Sequence, residues 1–381
     1  MILSTLDKSR KGGAYEQIPS LVLGQRWTPQ LNSRNMMKVV LCVWIEPYIE
    51  NDLSFCVWPV HTPTTSKEVL TLSASTSPLP YTGNKSCIVN TILSVMPKHT
   101  VYIDPCMGSA KVFFRKPRAE KEILNDYNGD LVNLFRVIQN NEKLAYLLGR
   151  LYLSINGELA FKQNKDRLKG VPNILDDVIE TSQIFYDASW EDIQNAAAFL
   201  ENQVYSFSTG QTFGIARRDM SQRLPRLMSA YNRIRDAIIL HRDYKDVITY
   251  AACPGSFILL DPPYKGTEDM YSKANFDIEQ HDILFSFMSE VNQQHHGEVK
   301  FLITYNNDPY IRGLAEKHGF DTFVQTRLHS MKQSKEAGAL YEELLIANYD
   351  LEKQAAANHL YLDEQKSQMT LFDFKTNYTE D

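Results

Sequence analysis

The sequence predicts an α/β protein: a mostly parallel sheet with a mainly helical subdomain inserted between two of its strands. Three observations predict it. Five short apolar runs recur, and polar residues collect just after each, as at the C-terminal ends of strands buried on both faces. Helical patterns lie between the runs. About a hundred residues separate the second run from the third, far more than one crossover helix needs, so a subdomain is inserted there.

The runs are Val101–Ile103 ending in Asp104, Glu122–Leu124 ending in Asn125-Asp126, Ala237–Leu240 followed by Asp243, Phe257–Leu260 ending in Asp261, and Phe301–Thr304 ending in Tyr305-Asn306-Asn307-Asp308. Helical patterns occupy Ile88–Val95, Leu131–Gln139, His281–Val291 and Tyr310–His318. Asp321–Gln325 and Glu343–Asn348 read as a pair of antiparallel edge strands. The insert reads helical at Lys143–Leu153, Glu191–Val204 and Leu224–Arg235, with a polar, aromatic, Gly-punctuated loop from Ser206 to Gly214. The expected division is 78–136 with 237–350 for the catalytic domain, 137–236 for the insert and 351–381 for a tail. Residues 1–77 read as an extension of unassigned role; Met37–Trp44 and Leu53–Val60 have strand character, and Thr62–Ser77 is a Ser/Thr-dense linker.

Composition narrows the classes. The 381 residues are 43% hydrophobic and 23% charged, which supplies sizeable cores and excludes a mainly disordered or fibrous chain. Forty Lys+Arg against 46 Asp+Glu exclude an overall cationic coat but allow a local basic face. Cys42, Cys56, Cys87, Cys106 and Cys253 are scattered without Cys-x-x-Cys spacing, so neither a disulfide framework nor a zinc knuckle is expected. His295-His296 lacks companion ligands, and no metal is expected. No apolar segment reaches the roughly 18 residues of a membrane span, and Asp7-Lys8 follows too short an apolar start for a secretion signal. The expected location is the cytoplasm of a bacterial or phage-infected cell, with no membrane partner.

The sharpest local signal is Asp261-Pro262-Pro263-Tyr264 after a buried strand. Two prolines stop the strand and stiffen the turn. They hold a carboxylate, a free carbonyl and an aromatic face in fixed relation. Such a set grips a planar ring bearing an amine: Asp261 and the Pro262 carbonyl accept the amine hydrogens while Tyr264 stacks. Two acceptors that favour a tetrahedral nitrogen free its delocalised lone pair for attack.

Here the sequence resembles the Dam-like (D12 class) DNA adenine-N6 methyltransferases, including prophage-type members, from about Pro80 to Tyr349. The motifs stand in that family's order: Tyr81-Thr82-Gly83-Asn84-Lys85, Asp104-Pro105-Cys106-Met107-Gly108-Ser109, Asn125-Asp126, Asp243-Tyr244, Asp261–Tyr264 and the closing strand Glu342–Tyr349. Cys106 stands where a Phe is usual, and Ala110 where a second Gly is usual. The resemblance implies a Rossmann-like methyltransferase fold with about seven strands, one of them antiparallel. It implies S-adenosylmethionine as donor and the N6 amine of a flipped adenine in double-stranded DNA as acceptor. It implies cofactor contacts by Tyr81, Lys85, Asp104, Gly108, Asp126, Asp243, Tyr244 and Asp261. Asp126 suits ribose hydroxyls, Asp243 the adenine amine with Tyr244 against that ring, and Lys85 with Tyr81 the carboxylate. Asp261, Pro262 and Tyr264 carry the chemistry, and methyl transfer from a sulfonium needs alignment more than a metal.

From Ser206 to Lys245 eight basic residues face three acids, an excess suited to phosphates. Arg217 and Arg218, beside Phe213-Gly214, and Arg223 are the candidates for DNA contact. The rival readings are methylation of cytosine N4, RNA adenine or protein glutamine, a silent DNA-binding relative, and a nuclease using Glu298 and Lys300. Asp261 in place of Asn speaks against the glutamine enzymes, and the retained Asp261 and Tyr264 against a silent relative. In the tail, Gln368-Met369-Thr370-Leu371-Phe372 resembles peptides that dock on the bacterial sliding clamp, with Gln368, Leu371 and Phe372 as anchors.

Overall fold

The computed structural model describes residues 77–81, 85, 88–177, 188–207, 212–214, 218–266, 276–328 and 340–368. Residues 1–76 with their two expected strands, Arg217, and Leu371 with Phe372 lie outside those residues.

In chain order the elements are α1 (Val89–Val95), β1 (Val101–Asp104), α2 (Lys111–Arg115), β2 (Lys121–Asn125), α3 (Gly129–Gln139), α4 (Asn141–Tyr152), α5 (Glu158–Lys169), α6 (Trp190–Tyr205) and α7 (Leu224–Ile234). They continue with β3 (Ile238–Leu240), α8 (Tyr244–Ala251), β4 (Ser256–Leu260), α9 (Ile278–Gln294), β5 (Lys300–Asn306), α10 (Pro309–Lys317), β6 (Asp321–Leu328), β7 (Leu340–Ala347) and α11 (Leu351–Gln368).

The seven strands form one sheet in the order β3-β2-β1-β4-β5-β7-β6. The first five are parallel; β7 runs antiparallel between β5 and β6. Of the last two strands, only β6 is therefore an edge. The order reverses between β1 and β4, where chain ends turn to opposite sides and leave a crevice at the C-terminal ends of the strands.

Side chains alternate across the pleat with period two. Tyr102, Leu124, Phe257, Leu259 and Leu302 enter one core, while Ile103, Ile123, Ile258, Leu260 and Ile303 enter the other. Both faces are dry, which is why the runs read as continuous apolar text. Helices α4, α6 and α7 build no separate core: Leu144, Leu147, Leu200, Leu227 and Ile234 join Leu131 and Phe135 in the first cluster. Sequence caps set the helix starts. Ser189 and Asp192 form a reciprocal capping box on α6, and Asp308 followed by Pro309 starts α10.

A buried ionic triad ties α7 to the sheet. Glu122, 6% exposed, accepts from Lys116 Nζ at 2.6 Å and from Arg233 Nη2 at 2.8 Å, and Arg233 Nη1 reaches its other oxygen. Arg233 also lies 3.7 Å from the Phe113 ring centroid and donates to the Phe113 carbonyl at 2.9 Å. Three α-helices, α2, α5 and α8, had no counterpart in the sequence pattern. Helix α5 is polar on most sides and buries only Phe161, and α8 begins inside the Asp243-Tyr244 motif. Among the described residues no helix is long and apolar enough to cross a membrane.

Candidate active site

The ends of four neighbouring parallel strands carry the site. Asp104 closes β1, Asp126 follows β2, Asp243 follows β3 and Asp261 follows β4. Asn125 stitches these ends together. Fully buried, it donates from Nδ2 to the Pro105 carbonyl at 2.8 Å and the Arg242 carbonyl at 2.9 Å, and its Oδ1 accepts from the Arg242 N–H at 2.9 Å.

The loop after β1 turns tightly. Gly108 has φ +48° and its N–H donates to Asp126 Oδ2 at 2.9 Å; the other Asp126 oxygen accepts from Asn128 N–H at 2.9 Å. Ala110 is also left-handed at φ 52° and caps α2. An L-residue there costs about 1–2 kcal/mol. Tyr81 borders the loop: a Cβ on Gly108 would stand 3.7 Å from its ring, and its hydroxyl accepts from Asn128 Nδ2 at 3.1 Å. The Tyr81 ring also lies 6.3 Å from Phe199 on α6, so this edge touches the insert.

Electrostatically the edge is an acid pocket. Burial pushes Asp104 up to about 8, the Tyr102 hydroxyl opposes that by donating at 3.0 Å, and Asp261 and Asp126 add repulsion. Asp126 is pushed up to about 6, again by burial, against the N–H groups of Asn128 and Gly108. Cys106 sits within the fields of Asp126, Asp104, Asp261 and Asp243 together; burial first and then these charges hold its thiol well above the ordinary range. Such a pocket disfavours anions and favours a cationic ligand. Among the described residues no group of three or more His, Cys, Asp or Glu is placed to hold a metal ion.

The tetrapeptide after β4 is held from three sides. Asp261 Oδ2 pairs with Lys85 Nζ at 2.6 Å, and its Oδ1 accepts from Thr304 Oγ1 at 2.8 Å. Burial raises the Asp261 pKa, while Lys85 and Thr304 pull it down. The Tyr264 hydroxyl donates to Glu343 Oε2 at 2.9 Å, its ring lies 5.6 Å from Tyr305, and Lys85 Nζ stands 4.8 Å from its centroid. Lys265 next door pairs with Asp308, the cap of α10, at 3.2 Å. Thr304, Glu343 and the stitching role of Asn125 were not singled out from the sequence. The available signal was a carboxylate, Glu343, heading the otherwise apolar run Leu344-Leu345-Ile346.

Asp243 Oδ1 caps α8 by accepting from Lys245 N–H at 2.9 Å. Tyr244 is 9% exposed and packs edge-on against Phe287 at 6.0 Å; its buried hydroxyl has no hydrogen-bond partner among the described residues. In the insert, Arg218 Nη1 donates to the Val204 carbonyl at 2.5 Å, and Arg223 is half-buried. The basic count of this stretch overstates its free charge. Arg233 pairs with Glu122, Arg235 with Asp236, and Arg242 with Asp246.

The model of the D12 class N6 adenine-specific DNA methyltransferases matches residues 81–335. The DNA N-6-adenine-methyltransferase of Escherichia phage P1 is 26% identical over 258 residues, 63% of this chain and 31% of that protein. The type II methyltransferase M.CviBI of Paramecium bursaria Chlorella virus NC1A is 22% identical over 66% of this chain and 90% of its own length. The type II methyltransferase M1.LlaDCHI of Lactococcus lactis subsp. cremoris is 20% identical over 71% and 94%. The chain thus spans about a third of the phage enzyme and most of the other two. With the match covering well over half of its residues, the chain belongs to the D12 class N6 adenine-specific DNA methyltransferase family.

Proposed function

We propose that this protein transfers a methyl group from S-adenosylmethionine to the N6 amine of an adenine flipped out of double-stranded DNA. The observation that carries the reading is the Asp261–Tyr264 turn, fixed by Lys85, Thr304 and Glu343 at the edge of an acid pocket. The pocket's chemistry fits the donor: its ammonium and sulfonium suit a buried carboxyl of raised pKa such as Asp104, and its carboxylate suits Lys85 and Tyr81. Asp104, Asp126, Asp243, Gly108, Tyr81, Tyr244 and Lys85 would hold it. When bound, it supplies an electrophilic methyl on a sulfonium leaving group.

The chain's own residues handle the amine. Proline supplies no N–H at position 262, so its carbonyl is an acceptor without a competing donor beside it. Ionised Asp261 is the stronger acceptor, and Lys85 and Thr304 pull its pKa down against the rise that burial causes. Both oxygens already have partners, so an incoming amine shares or displaces the Lys85 contact. Tyr264 is the stacking face, and its bond to Glu343 fixes the ring plane. Arg217, Arg218 and Arg223 are the insert's contacts to DNA.

The test is Asp261→Ala. Labelled-methyl transfer to duplex DNA should fall by more than about a hundredfold, the scale of losing one preorganised polar group, while duplex binding persists. Digestion of the product distinguishes N6-methyladenine from N4-methylcytosine, and near-normal transfer by the variant refutes the mechanism. The tail motif stands as a separate proposal. A peptide of residues 364–377 should bind the purified sliding clamp through Gln368, Leu371 and Phe372, and no measurable binding removes it.

A further inference from the structure

Cations left over after internal pairing gather on one ridge at the junction of the insert with the catalytic domain. Three contacts hold the C-terminal end of α7 against the segment that contains α2. Arg118 Nη2 donates to the Asn232 carbonyl at 2.5 Å, and Arg233 reaches the Phe113 carbonyl and ring. Arg226 precedes Arg233 by two helical turns and so lies on the same face of α7, about 10 Å along the axis. Its charge acts on Lys111, the first residue of α2. Arg115 follows Lys111 by one turn on α2, and Arg223 stands directly before α7.

The electrostatics agree with this placement. Burial lowers the Lys111 pKa, and Arg226, Arg223 and Arg115 lower it further. Burial lowers Arg223 too, followed by Arg226 and Arg218. Among the described residues, none of Lys111, Arg115, Arg223 and Arg226 has an ion-pair partner. Arg118, Arg136, Arg150, Arg167 and Arg233 elsewhere all do. Four like charges held together without an acid cost stability unless an anion completes them.

The ridge also stands in the right place. Helix α2 starts directly after the Gly108 loop, so Lys111 lies at the strand-end edge that carries the acid pocket. S-adenosylmethionine has no phosphate and does not account for these cations. We propose that Lys111 and Arg115 of the catalytic domain, with Arg223 and Arg226 of the insert, form one phosphate-binding ridge that grips a DNA backbone strand beside the pocket. This rests on the DNA reading above and adds the catalytic domain's own surface to the interface. The ridge clamps the backbone on both sides of the domain junction, so that the insert and the site act on one stretch of duplex.

The experiment is duplex binding by anisotropy between about 50 and 200 mM salt, comparing the wild type with the Lys111→Gln/Arg115→Gln double variant. Each phosphate contact contributes about −0.9 to the slope of log K against log salt, so the double variant's slope should be shallower by about 1.8. Cofactor binding, followed separately by calorimetry, should be unchanged. Arg115→Gln alone removes an exposed side chain, does not threaten the fold, and should flatten the slope by about 0.9. Arg118→Gln, whose cation is already paired with Asp236, should leave it unchanged. Wild-type slopes in the double and Arg115 variants overturn the ridge and leave the DNA reading standing. An equal loss in the Arg118 variant also overturns it, because the effect is then not local. A wild-type protein that binds no duplex overturns both.

Discussion

Cofactor binding should release protons. In the free protein burial, with help from Asp261 and Asp126, holds Asp104 up at about 8 and Asp126 at about 6. At pH 7 a carboxyl with a pKa near 8 is roughly 90% protonated, and one near 6 roughly 10%. A cationic ligand seated among them favours the ionised forms, so binding at pH 7 should expel about one proton, nearly all of it from Asp104. The affinity should then rise about tenfold per pH unit from about 6 to 8, or about 2.7 kcal/mol over that window, and level off above 8. Calorimetric titration with S-adenosylmethionine in two buffers of different ionisation enthalpy reads the count directly. Asp104→Asn keeps an oxygen for the Tyr102 hydroxyl and should reduce the release at pH 7 to about a tenth of a proton. Identical heats in both buffers for the wild type would refute the reasoning, as would an Asp104→Asn variant that releases as many protons as its parent. The same shift sets the stability of the free protein. Asp104 holds its proton better folded than unfolded, so its contribution is fully present below the unfolded value near 3.8 and is lost as pH rises through about 8. Denaturant midpoints should fall across that window and flatten above it, and Asp104→Asn should remove part of the slope.

Glu122→Ala strips the carboxylate from two buried cations, Lys116 and Arg233, and should cost about 3–5 kcal/mol in urea unfolding. A loss under about 1 kcal/mol would mean that water reaches the triad. Glu343→Gln keeps an acceptor for the Tyr264 hydroxyl and should leave transfer within a few-fold, whereas Glu343→Ala should lower the turnover rate by about tenfold with little change in cofactor KM, since one hydrogen bond worth about 1–1.5 kcal/mol orients the ring. Equal losses in both variants would argue against an orienting role. Ala110→Gly should relieve the left-handed backbone and stabilise the fold by about 1 kcal/mol, read as a shifted unfolding midpoint; destabilisation would show that the methyl group's packing outweighs the strain.

What was legible in the sequence follows a physical division. The five parallel strands stood out because a strand dry on both faces is apolar throughout and its polar C-terminal neighbours mark the edge. Asp104, Asp126, Asp243 and Asp261 were readable as site candidates because each follows its own strand. The contacts that hold them were not, because they cross long stretches of chain. Thr304 meets Asp261 from 43 residues away, Glu343 meets Tyr264 from 79, and Arg233 meets Glu122 from 111. Nothing local distinguishes a threonine in a buried run from one that donates to a carboxylate. The same blindness inflated the basic count of the insert. Arg233, Arg235 and Arg242 look free in text and are paired in space, while Lys111 and Arg115, on α2 more than a hundred residues away, act on the same charge cluster as Arg223 and Arg226.

The sorting of charge links these findings to the reaction. One strand-end edge concentrates buried carboxyl groups whose ionisation a bound cation favours, and beside it runs a ridge of cations that an anion would complete. A protein that wanted stability alone would interleave the two signs and let them neutralise each other. Here they are kept apart by the Gly108 loop, with acids on the crevice side and bases from Lys111 onward. Each half is left incomplete, and the two missing partners have opposite charge: a compact ligand of net positive charge for the pocket and an extended polyanion for the ridge. A cationic methyl donor and a phosphate backbone are such a pair. Binding of the donor favours ionised carboxylates in the pocket, and binding of the backbone removes repulsion within the ridge.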